Sequence, residues 1–488
     1  MKRTISALLA VLTLVALFSA CGGGSGGGES NESGNTTAVT ADAGGETAES
    51  TRAMHGVPDA LDFDGGEYRI LIPILWQGYA YYFFAEELNG DVMNDALFDR
   101  QRTVEEALNI KMAKVEVGSI IDVPAAVQKT VLAGEDAYDC ALFHCISGIS
   151  DAASNGYLYN LDTLPHIDMA AEWWNTEQMG VLRLGKKTYY AVNDYMIPCP
   201  YLINFNRNMV KDYGLDDPYE LTFAGEWLLD DFAEMCRAVS GDADGSGTYD
   251  INDRYGVTGS DASLYISFVP GAGQFMTDRD ADGKVQMALN TERMVKLVEL
   301  FAGLMTENCV MYPYNKELNL DTGRLLFELG SLSTAEVMRE YDVAIGFLPF
   351  PKYDESQDDY HTLDWGGLMA VPLTIGNPEL VGAAMELMAY EAENGVIPTY
   401  YDTVLSGKMA RDENAERVLD ILFDTICYEI GGNYFGFAAG FGDLFYTLPR
   451  LSLEKKSTDF ASWYSAREAT AVGVIDKFYT ALEASEAE

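Results

Sequence analysis

Apolar and polar positions divide this chain into three stretches. From Ile5 to Phe18 the residues are apolar except for Ser6 and Thr13, after a basic Met1-Lys2-Arg3 start. That run is too short to span a bilayer comfortably, and small residues follow it at Ser19-Ala20 before Cys21, which is the layout of a cleaved export leader. From Gly22 to about Ala60 there is almost no large apolar residue, only Gly, Ser, Thr, Glu and Ala, which predicts a flexible tether. The remaining residues, roughly 430, alternate short apolar runs with helical stripes and exceed what one core usually supports, so two lobes are expected.

Glu67-Tyr68-Arg69-Ile70-Leu71-Ile72-Pro73 reads as a buried strand. A helix is expected from about Val92 to Asn109, where Leu97, Val104 and Leu108 share a face. Further strands are expected at Tyr138–Phe143 and at Thr188–Val192. Strand, helix, strand in that order implies a mainly parallel α/β sheet. Later helices are longer: Asn290 is placed to cap one with an apolar stripe from Met294 to Met305, and Asn377-Pro378 opens another with cap and proline in the favoured order. Between them Tyr341–Pro349 reads as one more buried strand.

Charge and cysteine content narrow the chemistry. A net charge of −44 repels phosphate backbones and anionic headgroups, so nucleic-acid binding is excluded and no cationic ligand is selected. Apart from Cys21, six cysteines remain at 140, 145, 199, 236, 309 and 427, mostly in apolar contexts. They read as buried thiols, with a Cys140–Cys145 bridge as the alternative. Four histidines and the lack of HExxH and CxxC motifs, and of GxSxG outside the glycine tether, argue against the common hydrolases, although paired glycosidase carboxylates could hide among 76 acidic residues.

The leader resembles a bacterial lipoprotein signal, with Phe18 where the usual motif has leucine. In that reading Cys21 becomes the acylated first residue and the protein lies on the outer face of the cytoplasmic membrane. Downstream, several pieces occur in a telling order. Met93–Arg100 leads into Val104-Glu105-Glu106, and Tyr138–Leu142 precedes Gly156–Leu161. Ile203–Asn206, Trp227–Phe232, Gly346–Tyr353 and Val396–Asp402 follow. In this order the chain resembles the family 1 extracellular solute-binding proteins of ABC importers, especially the lipid-anchored type of clostridia.

The resemblance implies a maltose-binding-protein-like, two-lobed periplasmic-binding-protein type II fold with a multi-segment hinge and a ligand held between the lobes. It also implies a monomer that passes a small molecule, most simply a mono- or oligosaccharide, to a membrane permease without catalysis. The alternatives are a surface glycan-processing enzyme and a sensory or adhesion protein on the same fold. Chain order then gives a leader over 1–20 and a tether over 21–60. It places the first lobe at 61–195 plus 312–350 and the second at 196–311 plus 351–488.

A sugar site needs flat aromatic surfaces and polar groups at ring edges. With ligands gathering at the carboxyl ends of strands, Trp76, Gln77 and His144 are candidates, as are Asp364 and Trp365. Tyr195 falls at an expected hinge crossing. Trp463 lies where the maltose-binding type carries a sugar-stacking tryptophan. For each tryptophan the competing role is core packing, which is preferred for Trp173, Trp174 and Trp227.

The sharpest local motif is Asp242–Asp253. On the calcium-loop template it supplies oxygens from Asp242, Asp244, Ser246, Thr248 and Asp250, a turn glycine at Gly247 and an acid at Asp253. Ser246 and Asp253 depart from the usual residues. Structural calcium is therefore one expectation and a plain acidic turn the other, with no cofactor required. Asp278–Gly283 lacks the full pattern and reads as a hairpin turn.

Overall fold

In the computed structural model the described residues are 54–74, 84–145, 147–185, 187–192, 200–338, 341–364, 366–400, 413–436, 438 and 440–487. The leader, Cys21, the tether up to residue 53, Trp76, Gln77, Tyr195 and Trp365 lie outside them. Residues 54–60, read from composition as tether, are instead packed onto the fold, with Val57 buried and the His55 ring 4.8 Å from that of Tyr390. Among the described residues no helix is long and apolar enough to cross a membrane.

Among the described residues nine strands build the two main sheets: β1 (Gly66–Pro73), β2 (Ile110–Val117), β3 (Cys140–His144), β4 (Tyr201–Asn206), β5 (Tyr255–Gly259), β6 (Val310–Met311), β7 (Leu325–Ser331), β8 (Ile345–Leu348) and β9 (Gly367–Ala370). The first sheet has the order β9-β3-β1-β2, parallel except for β9. The second, β8-β4-β7-β5-β6, is mixed: β4 is antiparallel to both neighbours, while β5 is parallel to β6 and β7.

Two features of the chain-order reading are corrected. β7 and β8 fall within 312–350, assigned by sequence to the first lobe, yet they pair with β4 in the second sheet. β9 falls within 351–488, assigned to the second lobe, yet it pairs with β3 and completes the first sheet. An antiparallel strand can join a sheet from any distance along the chain, and its apolar pattern does not say which edge it joins. The expected strand at 188–192 is reduced to extended backbone with a single bridge, Ala191 to Met369.

Local chemistry explains the main elements. Helix Val92–Leu108 starts where the Asp91 side chain accepts from the backbone N–H of Met93 and Asn94, and ends at Asn109 in the left-handed region. It buries Met93, Leu97, Val104 and Leu108. Helix Glu292–Thr306 is capped by Thr291, one residue past the expected Asn290, through a bond from Met294 N–H. Helix Pro378–Glu391 begins at the expected Asn377-Pro378. The register of β1 against β3 is fixed by Arg69, whose guanidinium grips both Asp139 oxygens at 2.9 and 3.0 Å.

Each lobe buries tryptophan in its own way. In the first, Glu386 on helix Pro378–Glu391 accepts from the indole N–H of Trp173 at 3.1 Å and of Trp174 at 2.9 Å. Burial pushes its carboxyl up to about 7. The helix can come this close to the 165–174 stretch because Gly382 has no Cβ; one added there would stand 1.9 Å from the Pro165 oxygen. In the second, Trp227 is fully buried and donates to the Pro349 carbonyl at 3.1 Å. Its ring joins Phe232 and Phe327 in an aromatic core extended by Phe268 and Phe301. All three tryptophans are packing residues, as the sequence predicts.

The described cysteines 140, 145, 236, 309 and 427 are free thiols, so the Cys140–Cys145 bridge is absent. The predicted turn at Asp278–Gly283 joins a hairpin, Thr277–Arg279 with Val285–Met287.

Candidate ligand-binding cleft

The strands of the two sheets end at a common cavity of about 1100 Å³. One wall follows the ends of β2 and β3: Ser119, Ile120, Ile121, Pro124, Ala125 and Gln128, then His144, Ser147, Gly148, Asp151, Ala152 and Tyr157. The facing wall follows the ends of β5 and β7 and the start of β4: Ser260, Asp261, Ser263, Leu264, Gly330, Ser331, Thr334 and Tyr201, with Tyr446 from the C-terminal segment. Such a position at strand carboxyl ends is where open α/β sheets collect ligands.

Backbone geometry shapes the first wall. Gly148 sits at φ +67° ahead of helix Ile149–Ser154, and a Cβ there would meet Pro124 Cγ at 2.7 Å, so the loop packs tightly on the helix that starts at Asp122. That helix presents Ala125 and Gln128 to solvent, and Ile121, just ahead of it, is 71% exposed. Gln128 Nε2 donates to the Tyr157 hydroxyl at 3.1 Å, orienting the ring at the mouth of the cleft. His144, at the end of β3, is buried beneath this wall, and desolvation lowers its imidazole to about 4, so it is neutral at physiological pH.

The second wall is bonded in place. Thr334 Oγ1 accepts from Ser331 N–H at 2.9 Å and donates to the Ser331 carbonyl at 2.7 Å. Asp261 Oδ1 accepts from Ser263 N–H at 2.7 Å, and the residue is exposed. Tyr446 is backed by Arg450, whose guanidinium carbon lies 5.1 Å from the ring centroid and which is also paired with Asp443.

Of the predicted ligand contacts that are described, His144 lines the cavity and two others do not. Trp463 is buried behind it: its N–H donates to Thr447 Oγ1 at 3.2 Å, and Arg467 stacks on its face at 3.4 Å. The C-terminal aromatic that reaches the cleft is Tyr446, next to Thr447. Asp364 is also buried, accepting from the Tyr428 hydroxyl at 3.1 Å and bridged through its backbone to Pro200, where the chain enters the second sheet. Tyr157, Tyr201, Asp261, Ser331 and Thr334 were missed by the sequence reading. The signal for Asp261 was present, since Gly259-Ser260-Asp261 directly follows a strand.

A second candidate lies away from the cleft. In the 242–253 loop, carboxylate oxygens of Asp242, Asp244 and Asp253 fall within 4.8 Å of one another. Asp253 is buried and held below the usual carboxylate range by backbone N–H bonds, first from Asp250 and then from Ala243. Asp250 stands outside the cluster, accepting from Asn252 N–H, and the Thr248 carbonyl accepts from the Ser246 hydroxyl. Three gathered carboxylates suit a hard cation with oxygen ligands, and Asp250 is the predicted acid that stands outside them.

A scan of protein-family models finds no match to the chain, and neither does a comparison with curated proteins. Solved structures do match. The chain is similar to the GacH receptor of Streptomyces glaucescens, known unliganded and with acarbose, at 13% identity and a TM-score of 0.53 over 86% of this chain and 99% of that one. It is similar to the ABC substrate-binding protein Lmo0181 of Listeria monocytogenes in complex with cycloalternan, at 12% identity and 0.53 over 86% and 100%. It is also similar to UgpB of Mycobacterium tuberculosis in complex with glycerophosphocholine, at 15% and 0.54 over 80% and 95%. These likenesses define the fold class: a two-lobed α/β fold with the maltose-binding-protein-like architecture. At such identities the fold is what the neighbours share with this chain, and its ligand has to be argued from its own cleft.

Proposed function

We propose that this protein is the capture subunit of an ABC importer, taking an oligosaccharide into the cleft between its lobes and presenting it to a membrane permease. The observation that carries this reading is the cavity of about 1100 Å³, spacious enough for several sugar rings and lined by three tyrosines and a row of hydroxyls. Tyr157, Tyr201 and Tyr446 offer ring faces, while Ser260, Ser263, Ser331 and Thr334 offer edge contacts. Two of the three solved neighbours are complexes with saccharides or a saccharide mimic, which supports the same class. Binding without turnover, closure of the lobes around the ligand and acylation at Cys21 complete the proposal. The leader would deliver the chain outside the cytoplasm and the tether would let it reach its permease. Calcium in the 242–253 loop is proposed as a structural staple remote from the cleft.

The test is a thermal-shift screen of mono- and oligosaccharides on the chain from Glu29 onward, followed by calorimetry. A ligand at a hundred times its Kd should raise stability by about 2.7 kcal/mol. No shift with any sugar would sink the reading, and release of smaller sugars from a glycan panel would replace it with an enzyme.

A further inference from the structure

Charge in the cleft is one-sided. Asp151 stands on the first wall, in the opening turn of helix Ile149–Ser154, and Asp261 on the second, just past β5; both are exposed. Among the described lining residues there is no lysine or arginine. Arg450, behind Tyr446, is committed to Asp443. Nothing described on either wall would therefore neutralise an incoming carboxylate, sulfate or phosphate. An anion would lie between two like charges, and it would do so in a narrowing, increasingly water-poor space as the lobes close, where screening is weakest. An ammonium group would instead relieve the repulsion that closure imposes on the two aspartates themselves.

We propose that the cleft ranks its ligands by charge, taking an amino-bearing oligosaccharide above its uncharged counterpart and excluding anionic ones, with Asp151 and Asp261 as the residues that set the order. The proposal rests on the capture reading above and names the ligand class within it. Asp151 is an exposed side chain, and the one bond that Asp261 gives the fold, Ser263 N–H to its Oδ1, can be made equally by an asparagine oxygen, so both Asn substitutions remove charge and spare the fold.

The experiment is calorimetric titration of the purified full chain at pH 6 and low salt with three probes of equal length. These are the glucosamine trimer, its N-acetylated form and trigalacturonate, with maltotriose and cellotriose as neutral controls. The glucosamine trimer should bind at least tenfold tighter than the acetylated trimer, and trigalacturonate should not bind. The first gap should shrink severalfold between 20 and 300 mM salt, and should close in the Asp151→Asn/Asp261→Asn variant with its melting temperature unchanged. Trigalacturonate binding as tightly as the acetylated trimer would overturn the proposal, as would a ranking indifferent to the double substitution. If the neutral controls bind but charge has no effect, the charge rule falls and capture stands. If no sugar binds, both fall together.

Discussion

The two walls of the cleft occupy matching places, the carboxyl ends of strands in two different sheets, yet they differ in their apolar share and in how their side chains are held. The first sets an apolar patch of Ile120, Ile121, Pro124, Ala125 and Ala152 among polar residues such as Ser119, Gln128 and Asp151, and its most prominent side chain, Ile121, is mostly exposed. The second is hydroxylated, and its groups are already bonded to backbone, as Thr334 is to both the N–H and the carbonyl of Ser331. The difference teaches that one wall can contribute shape and desolvation without affecting the fold, while the other contributes directed hydrogen bonds and is part of the fold itself.

The comparison is most easily broken at Tyr446. Tyr446→Ala should weaken sugar binding by about 1–3 kcal/mol in calorimetry if the ring is a platform; unchanged affinity with a lowered melting temperature would make it a packing residue. Next comes a contrast between the walls. Thr334→Val removes two hydrogen bonds and leaves the Ser331 N–H without its partner, so urea unfolding should show a loss of about 1–2 kcal/mol. Ile121→Ala should leave stability within about 0.5 kcal/mol while costing about 1 kcal/mol of ligand affinity. Equal stability losses in the two variants would erase the distinction.

The walls and the core behind them also differ in pH response. His144, whose imidazole is lowered from 6.5 to about 4, stabilises the fold fully above pH 6.5, and that contribution is lost as pH falls through 4. Glu386, raised from 4.5 to about 7, has the opposite sign: the native state holds the extra proton, so its contribution is present below pH 4.5 and lost as pH rises through 7. Melting temperatures measured from pH 4 to pH 8 should therefore decline toward both ends, and Glu386→Gln should flatten the neutral side alone. The smallest effect is expected from a chelator, which should lower the melting temperature by a few degrees if the 242–253 loop holds calcium; no change would leave an acidic turn.

Elements whose signal is local were legible in the sequence. The Asp91-capped helix, the Asn377-Pro378 start and the 278–283 turn all follow from residues within a few positions of one another. The apolar runs at 66–73 and 140–144 were equally plain. Sheet membership was not legible, because β9 reaches β3 across more than two hundred residues and nothing in Gly367–Ala370 names that edge. At the site the emphasis on tryptophan misled. Trp463 satisfies its own N–H inside the protein, and the cleft's described aromatics are tyrosines, which sequence context alone does not separate from the many other tyrosines of the chain.

The late arrival of β9 bears on how the protein is born. A chain emerging from its N-terminus presents the outer edge of β3 with no neighbour until residues 367–370 appear, by which time every strand of the second sheet has been made. An unpaired strand edge is a template for wrong pairing. The first lobe is thus begun first and finished last, and a nascent chain stalled before Gly367 would carry an open, sticky edge that the completed protein never shows.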